Sequence, residues 1–220
     1  MPKNRFELLQ GQKKHWDEVF KSNPQMYGQL PSQAGQYAID LFSSKGFSTV
    51  IELGSGQGRD SLYFLKAKFK LFAVEYSSNA LAELKQKANE QGLAQNLKVL
   101  EQDAKEPLPL KNSSIDGVYS HMLLNMAFTT GELKSISQQV HRILSKDGIF
   151  VYTVRHIGDP HYGQGIDIGD NRFENGGFIV HFFDRSLVQD LATGFKIVDI
   201  SEFEEGDLPR RLWQVTLQKE

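Results

Sequence analysis

Residues 48–60, Ser-Thr-Val-Ile-Glu-Leu-Gly-Ser-Gly-Gln-Gly-Arg-Asp, constrain the fold more than any other stretch of the chain. The β-branched and aliphatic run Thr49-Val50-Ile51 leads into Glu52, and glycines follow at alternate positions, Gly54, Gly56 and Gly58. After Arg59-Asp60-Ser61 comes a second apolar run, Leu62 to Leu65. The pattern predicts a buried strand, a tight turn and a helix. A strand that turns into a helix through glycines leaves bare backbone for a ligand, and the helix N-terminus offers it unpaired N–H groups. The dinucleotide fingerprint G-x-G-x-x-G fits poorly, because Arg59 stands where its third glycine belongs. The carboxylate of Glu52, just before the glycines, would repel a pyrophosphate and suits an ammonium.

The rest of the chain alternates in the same way. Phe6, Leu9, Trp16, Val19 and Phe20 predict an amphipathic helix over 5–20, broken at Asn23-Pro24. Ser32 can cap a second helix carrying Ala34, Tyr37, Ala38, Leu41 and Phe42. Trp16 and Tyr27 read either as packing residues or as an aromatic lid. Further strands are expected at 70–75, 97–101, 115–120 and 149–154, with helices after the second and fourth. Thr129-x-x-Glu132 is a capping box for the second of these helices. The stretch 106–114 holds Pro107 and Pro109, so a short crossover without a helix is expected there. A final helix capped by Asp184 precedes two strands, 195–203 and 212–217, which no helix separates and which must therefore pair antiparallel.

Candidate ligand groups fall at the carboxyl ends of these strands, where open α/β sheets bind ligands. Glu75 ends the second strand about twenty residues after the glycines, the place where ribose hydroxyls are gripped. Tyr76 can cover an adenine face, and Asp103 can accept from an adenine amino group. His121, just past the fourth strand with Ser120, reads as a base or a contact to the reacting centre, or else as a packed histidine. The segment 155–183 is expected to be a long loop that recognises substrate, with His156, His161, Tyr162 and His181 among its polar residues. His156, Asp159 and His161 match no zinc spacing, so no metal is expected.

Composition narrows the chemistry. The chain has 220 residues, enough for one α/β domain, and a formal net charge of −2, which provides no basic field for nucleic acid. It has no cysteine, so disulfides, thiolate metal sites and a cysteine nucleophile are excluded. Without an apolar run of membrane-spanning length or a signal-like N-terminus, a cytoplasmic location is expected and no membrane partner.

Four motifs in order carry a resemblance to the class I S-adenosylmethionine-dependent methyltransferases over about residues 30–220: Val50 to Gly58, Ala73-Val74-Glu75-Tyr76-Ser77, Gln102-Asp103-Ala104 and Leu144-Ser145-Lys146-Asp147-Gly148. Gly58-Arg59-Asp60-Ser61 is further similar to the small bacterial type that includes tellurite-resistance and thiol methyltransferases. The resemblance implies a Rossmann-like, doubly wound α/β domain over 1–220 with an N-terminal helical lid. Its seven strands would take the order 3-2-1-4-5-7-6, with strand 7 antiparallel. It implies S-adenosylmethionine as cofactor, held by Glu52, Gly54, Ser55, Gly56, Gly58 and Asp60 at the methionine end. Glu75, Tyr76 and Ser77 would hold the ribose, Asp103 and Ala104 the adenine, and Ser120 and His121 the far side. The reaction expected is methyl transfer to a small acceptor, such as a thiol or other chalcogen nucleophile, with His121, His156 and Tyr162 as catalytic candidates. A non-catalytic S-adenosylmethionine-binding module would keep the same cofactor residues.

Overall fold

The computed structural model describes residues 11–23, 26–28, 30–206 and 210–220. Two N-terminal helices, α1 (Gln12–Ser22) and α2 (Gln33–Ser44), precede β1 (Thr49–Leu53), α3 (Arg59–Lys66), β2 (Lys70–Glu75), α4 (Ser78–Glu90) and β3 (Leu97–Glu101). Then come β4 (Ile115–His121), α5 (Thr130–Ile143) and β5 (Leu144–Arg155). Three short strands follow, β6 (Ile166–Gly169), β7 (Arg172–Asn175) and β8 (Phe178–His181), and the chain ends with α6 (Arg185–Leu191), β9 (Phe195–Glu205) and β10 (Arg210–Lys219).

The main sheet has the order β3-β2-β1-β4-β5-β10-β9. The first five strands pair in parallel, and β10 runs antiparallel between β5 and β9. This is the expected Rossmann-like, methyltransferase-type sheet. Alternation along each parallel strand feeds two cores, one on each face. On β1, Val50 points into a cluster with Ala38, Phe42, Phe64 and Leu84 from α2, α3 and α4. Ile51 and Leu53 join the other cluster, with Ile136, Val140 and Val188 from α5 and α6. Each such side chain contributes about 1.5–3 kcal/mol when fully buried, so the sheet is held from both sides.

Local signals set the helix starts. Ser32 accepts from the Gly35 N–H, Ser77 from Ala80, and Asp184 from Leu187. Thr129 and Glu132 form the full reciprocal capping box. No helix lies between β3 and β4; Leu108 and the partly buried Leu110 cover that edge instead.

Two expectations are corrected. Segment 155–183 is not an irregular loop: β6, β7 and β8 form a separate antiparallel meander, turned at Asp170-Asn171 and Gly176-Gly177, all four with positive φ. The first helix runs over Gln12–Ser22 rather than 5–20; Phe6, Leu9 and Pro24 lie outside the described residues, as do Asp207, Leu208 and Pro209 between β9 and β10. Among the described residues, no helix is long and apolar enough to cross a membrane.

Candidate active site

The carboxyl ends of β1, β2 and β4 open into a cleft of about 430 Å³, within the usual range for small-molecule sites. The glycine loop (Gly54, Ser55, Gly56) and Glu52 form its floor, and Glu75, Tyr76, Gln102 and Ala104 its β2–β3 side. Trp16, Phe20, Met26 and Tyr27 cover it from the N-terminal segment. The meander covers the opposite side with Phe173, Phe178, Val180 and Phe182. Most of this lining is apolar, so the few polar groups decide what the cleft can hold.

Glu52 and Glu75 are the buried carboxyls of the floor. Burial, with the charge of nearby Asp60, pushes the Glu52 carboxyl up to about 8. Among the described residues its hydrogen-bond donor is the Ser61 hydroxyl. A neutral acid held in this way becomes a strong ammonium ligand once a cation enters. Glu75 accepts from the backbone N–H groups of Tyr76 and Ser77 at 2.9 Å each and of Gly56 at 3.2 Å. Burial raises its pKa against those bonds. Two carboxylate oxygens have about four acceptor positions, so one stays available for a ligand hydroxyl. The Ser55 hydroxyl is buried without a hydrogen-bond partner. These groups fit an amino-acid head beside Glu52 and Ser55 and a ribose beside Glu75.

Asp60 also lines the cleft, but its carboxylate serves the scaffold. It accepts from the Ser32 N–H and hydroxyl at 2.7 Å each and from the Tyr119 hydroxyl at 2.8 Å. Burial raises it, yet Arg59, His121 and the Ser32 bonds outweigh this and hold it below the usual carboxylate range. Gly58 caps α3 at φ +83°, and a side chain there would overlap Leu84 of α4. Its role is close helix packing.

On the β4 side, both ring nitrogens of His121 lie close to protein groups. The Thr153 hydroxyl accepts from the Met122 N–H at 3.0 Å and lies 2.8 Å from Nδ1. The other ring nitrogen, Nε2, lies 3.2 Å from Glu205 Oε2. Glu205 also lies 3.4 Å from Arg59 Nη1, and His121 helps hold it below its ordinary range in spite of burial. Arg155, His161, Gln164 and Arg210 complete this wall. The Arg155 guanidinium grips the buried Asp159 at 2.9 and 2.5 Å and lies over the Phe182 ring, 5.1 Å from its centre.

Not every candidate reaches the cleft. His156 stacks flat on Trp213 at 4.4 Å, and burial lowers its pKa. The Tyr162 hydroxyl donates to Asn171 of the meander turn. Both were expected to be catalytic, but neither lines the cleft: His156 is buried on Trp213, and Tyr162 packs edge-on against Phe173 and Phe182. The Asp103 carboxylate accepts from the Lys105 N–H at 3.0 Å, leaving Gln102 and Ala104 to face the cleft. The Ser77 hydroxyl donates to Asp17 of α1 at 2.5 Å, and the Ser120 hydroxyl to the Leu53 carbonyl at 3.2 Å. Among the described residues, no group of three or more His, Asp or Glu could hold a metal.

One lining residue escaped the sequence reading. Asn125 is fully buried, and neither its Nδ2 nor its Oδ1 has a partner. Leaving each end unpaired costs about 1–3 kcal/mol. Its signal was a lone amide in the apolar run Met122-Leu123-Leu124-Asn125-Met126 just beyond β4.

Comparison with known proteins agrees with this geometry. The methyltransferase-domain family model matches residues 50–148. The chain is 17% identical to a Burkholderia thailandensis structure, the 1,6-didemethyltoxoflavin N1-methyltransferase with its substrate and S-adenosylhomocysteine, at a TM-score of 0.75 over 100% of this chain and 92% of that one. It is 19% identical to a Methanosarcina mazei S-adenosylmethionine-dependent methyltransferase, at a TM-score of 0.67 over 79% of this chain and 92% of that one. A curated relative, an uncharacterised protein of Methanocaldococcus jannaschii, is 28% identical over 149 residues, or 68% of this chain. The chain spans about half the length of that relative, 53%. The fold is that of the class I methyltransferases, and residues 50–148 match the methyltransferase-domain model. The cofactor of that class is S-adenosylmethionine, and the buried groups of the cleft fit it.

Proposed function

We propose that the chain binds S-adenosylmethionine in this cleft and methylates a small molecule that enters beside the meander. The observation that carries this is the pairing of an ammonium-ready Glu52 and a hydroxyl-ready Glu75 across one glycine loop, in a cleft that continues into an apolar chamber. When bound, S-adenosylmethionine supplies a methyl group on a sulfonium whose departure leaves a neutral thioether, so its leaving group needs no acid. Glu52 and Ser55 hold the amino-acid head, Glu75 holds the ribose, and Tyr76, Gln102 and Ala104 enclose the adenine. The Trp16, Phe20 and Phe178 side chains keep water from the chamber, which favours a displacement in which the partners are merely aligned.

Both ring nitrogens of His121 already lie beside protein groups, Nδ1 beside the Thr153 hydroxyl and Nε2 beside Glu205. That favours a nucleophile that needs no base in the site, such as a thiolate or other chalcogen. Calorimetry with S-adenosylhomocysteine, with oxidised and reduced nicotinamide dinucleotides as controls, tests the cofactor. Saturable binding of S-adenosylhomocysteine alone is expected. Its failure to bind folded protein would end this reading. Methyl transfer from labelled cofactor to a panel of thiols, phenols, amines and oxyanions then tests the acceptor, with thiols expected to lead.

A further inference from the structure

We propose that Asn125 reads the acceptor, and that the acceptor presents to it an amide-type edge, an N–H group beside a C=O group. This rests on the cleft being the site of methyl transfer.

Asn125 follows β4 by four residues and is 0% exposed. Its backbone is fixed, since its carbonyl accepts the His181 N–H at 2.8 Å. Its carboxamide is not: Nδ2 and Oδ1 are both buried and, among the described residues, both without a partner. A buried amide is nearly always paired, so the partner must come from the cleft that Asn125 lines. The chemistry of that partner follows from the carboxamide. One donor and one acceptor lie side by side in a plane, so a complementary edge has one acceptor and one donor side by side. An N–H meets Oδ1 while a C=O meets the Nδ2 hydrogen, the two-point reading by which asparagine recognises a base edge.

The surroundings suit a largely apolar, aromatic body around that edge. Met122, Leu123 and Met126 line the cleft near Asn125 in sequence, and Phe173, Val180 and Phe182 face the same cleft from the meander side. Of the cations lining the cleft, Arg155 is paired with the buried Asp159, Arg59 with Asp60 and Glu205, and Lys87 with Glu83. A lone thiol cannot pair with both ends of the amide, so the sulfur or other nucleophile belongs to a molecule that also carries the amide edge. The cofactor's adenine is not the partner, because the residues suited to it, Tyr76, Gln102 and Ala104, lie on the β2–β3 side of the glycine loop.

The test uses the full chain saturated with S-adenosylhomocysteine. The probe is carbostyril, a bicyclic lactam, and its control is N-methylcarbostyril, which keeps the carbonyl and loses the N–H. Calorimetry or ligand-observed NMR reads binding to wild type, Asn125→Leu and Asn125→Asp. Carbostyril is expected to bind wild type about tenfold or more tighter than its N-methyl form does. Both variants are expected to lose a similar factor for carbostyril and to keep wild-type affinity for S-adenosylhomocysteine. Equal binding of the two probes to wild type overturns the proposal, and so does the absence of carbostyril binding. These two outcomes need no variant to fold. Unchanged carbostyril affinity in folded Asn125→Leu also overturns it. A selective fall in S-adenosylhomocysteine affinity would overturn it too, by giving Asn125 to the cofactor. Failure of wild type to bind S-adenosylhomocysteine is a separate result and refutes the underlying reading of the cleft.

Discussion

Replacing Glu52 by glutamine should change how stability depends on pH, by an amount that follows from its burial. The carboxyl moves from 4.5 in the unfolded chain to about 8 in the fold. The fold favours the protonated form, so stability from this group is fully present below about pH 4.5 and is lost as pH rises through 8. In numbers, keeping the proton costs about 0.8 kcal/mol at pH 5 and about 3.4 kcal/mol at pH 7. Glutamine can still accept from Ser61 and has no such term; its unpaired amide nitrogen adds a constant that does not vary with pH. Urea denaturation of both proteins at pH 5, 6, 7 and 8 therefore gives a stability difference that shifts in favour of Glu52→Gln by roughly 2.5 kcal/mol between pH 5 and 7. Other titrating groups cancel in that difference. Parallel pH profiles would show that Glu52 is ionised in the free fold, and the account of its burial would be wrong. The same proton should leave when an ammonium arrives, so S-adenosylhomocysteine binding at pH 7 should release about one proton, visible as a dependence of the heat on buffer ionisation.

Glu75→Ala removes a charged acceptor for ribose hydroxyls and should weaken S-adenosylhomocysteine by about 1.5–3 kcal/mol in calorimetry; unchanged affinity takes Glu75 out of the site. Asp159→Ala strips the buried Arg155 of its partner and also frees the His161 and Arg211 N–H groups that Asp159 accepts at 2.8 and 2.9 Å. It should cost about 3–5 kcal/mol in urea denaturation, and a loss below about 1 kcal/mol would make that cluster incidental.

What the sequence revealed and what it hid divide along contact range. The glycine loop, the helix caps at Ser32, Thr129 and Asp184, and the parallel strands were legible because each depends on neighbours within a few residues. The sheet order followed from the resemblance rather than from any local pattern. The meander was missed because its three strands are four residues each, too short for alternation to stand out among glycines and charges. Roles set by distant partners were invisible. His156 has the chemistry of a catalytic group, and only the fold brings Trp213 onto its ring. Asp60 resembles a ligand acid of the loop, but Ser32 and Tyr119 occupy it from 28 and 59 residues away. Conversely, Asn125 carries only a faint local mark, a lone amide in an apolar run, and its interest lies in partners that the described residues do not provide.

The two additions to the sheet are not independent covers. The α1 residues Trp16 and His15 meet Phe178 of the meander edge-on at 5.2 and 4.5 Å, and Gln12 donates to the Gly177 carbonyl at 2.9 Å. On its other side, α1 is tied to the glycine loop through Gln57, which donates to the Phe20 carbonyl at 3.2 Å, and to the N-terminus of α4 through Asp17. Among the described residues, the junction over the cleft includes these rings and the Gln12 hydrogen bond, whereas β5, β10 and β9 are joined along long continuous ladders. Segments with few buried contacts open at the lowest free energy. Ligand exchange by parting α1 from β8 would leave the sheet intact, and Phe178, Trp16 and Phe20 would close again over both molecules. The rigid part of the protein would then set the geometry of transfer, and the thin contact between its two covers would set access.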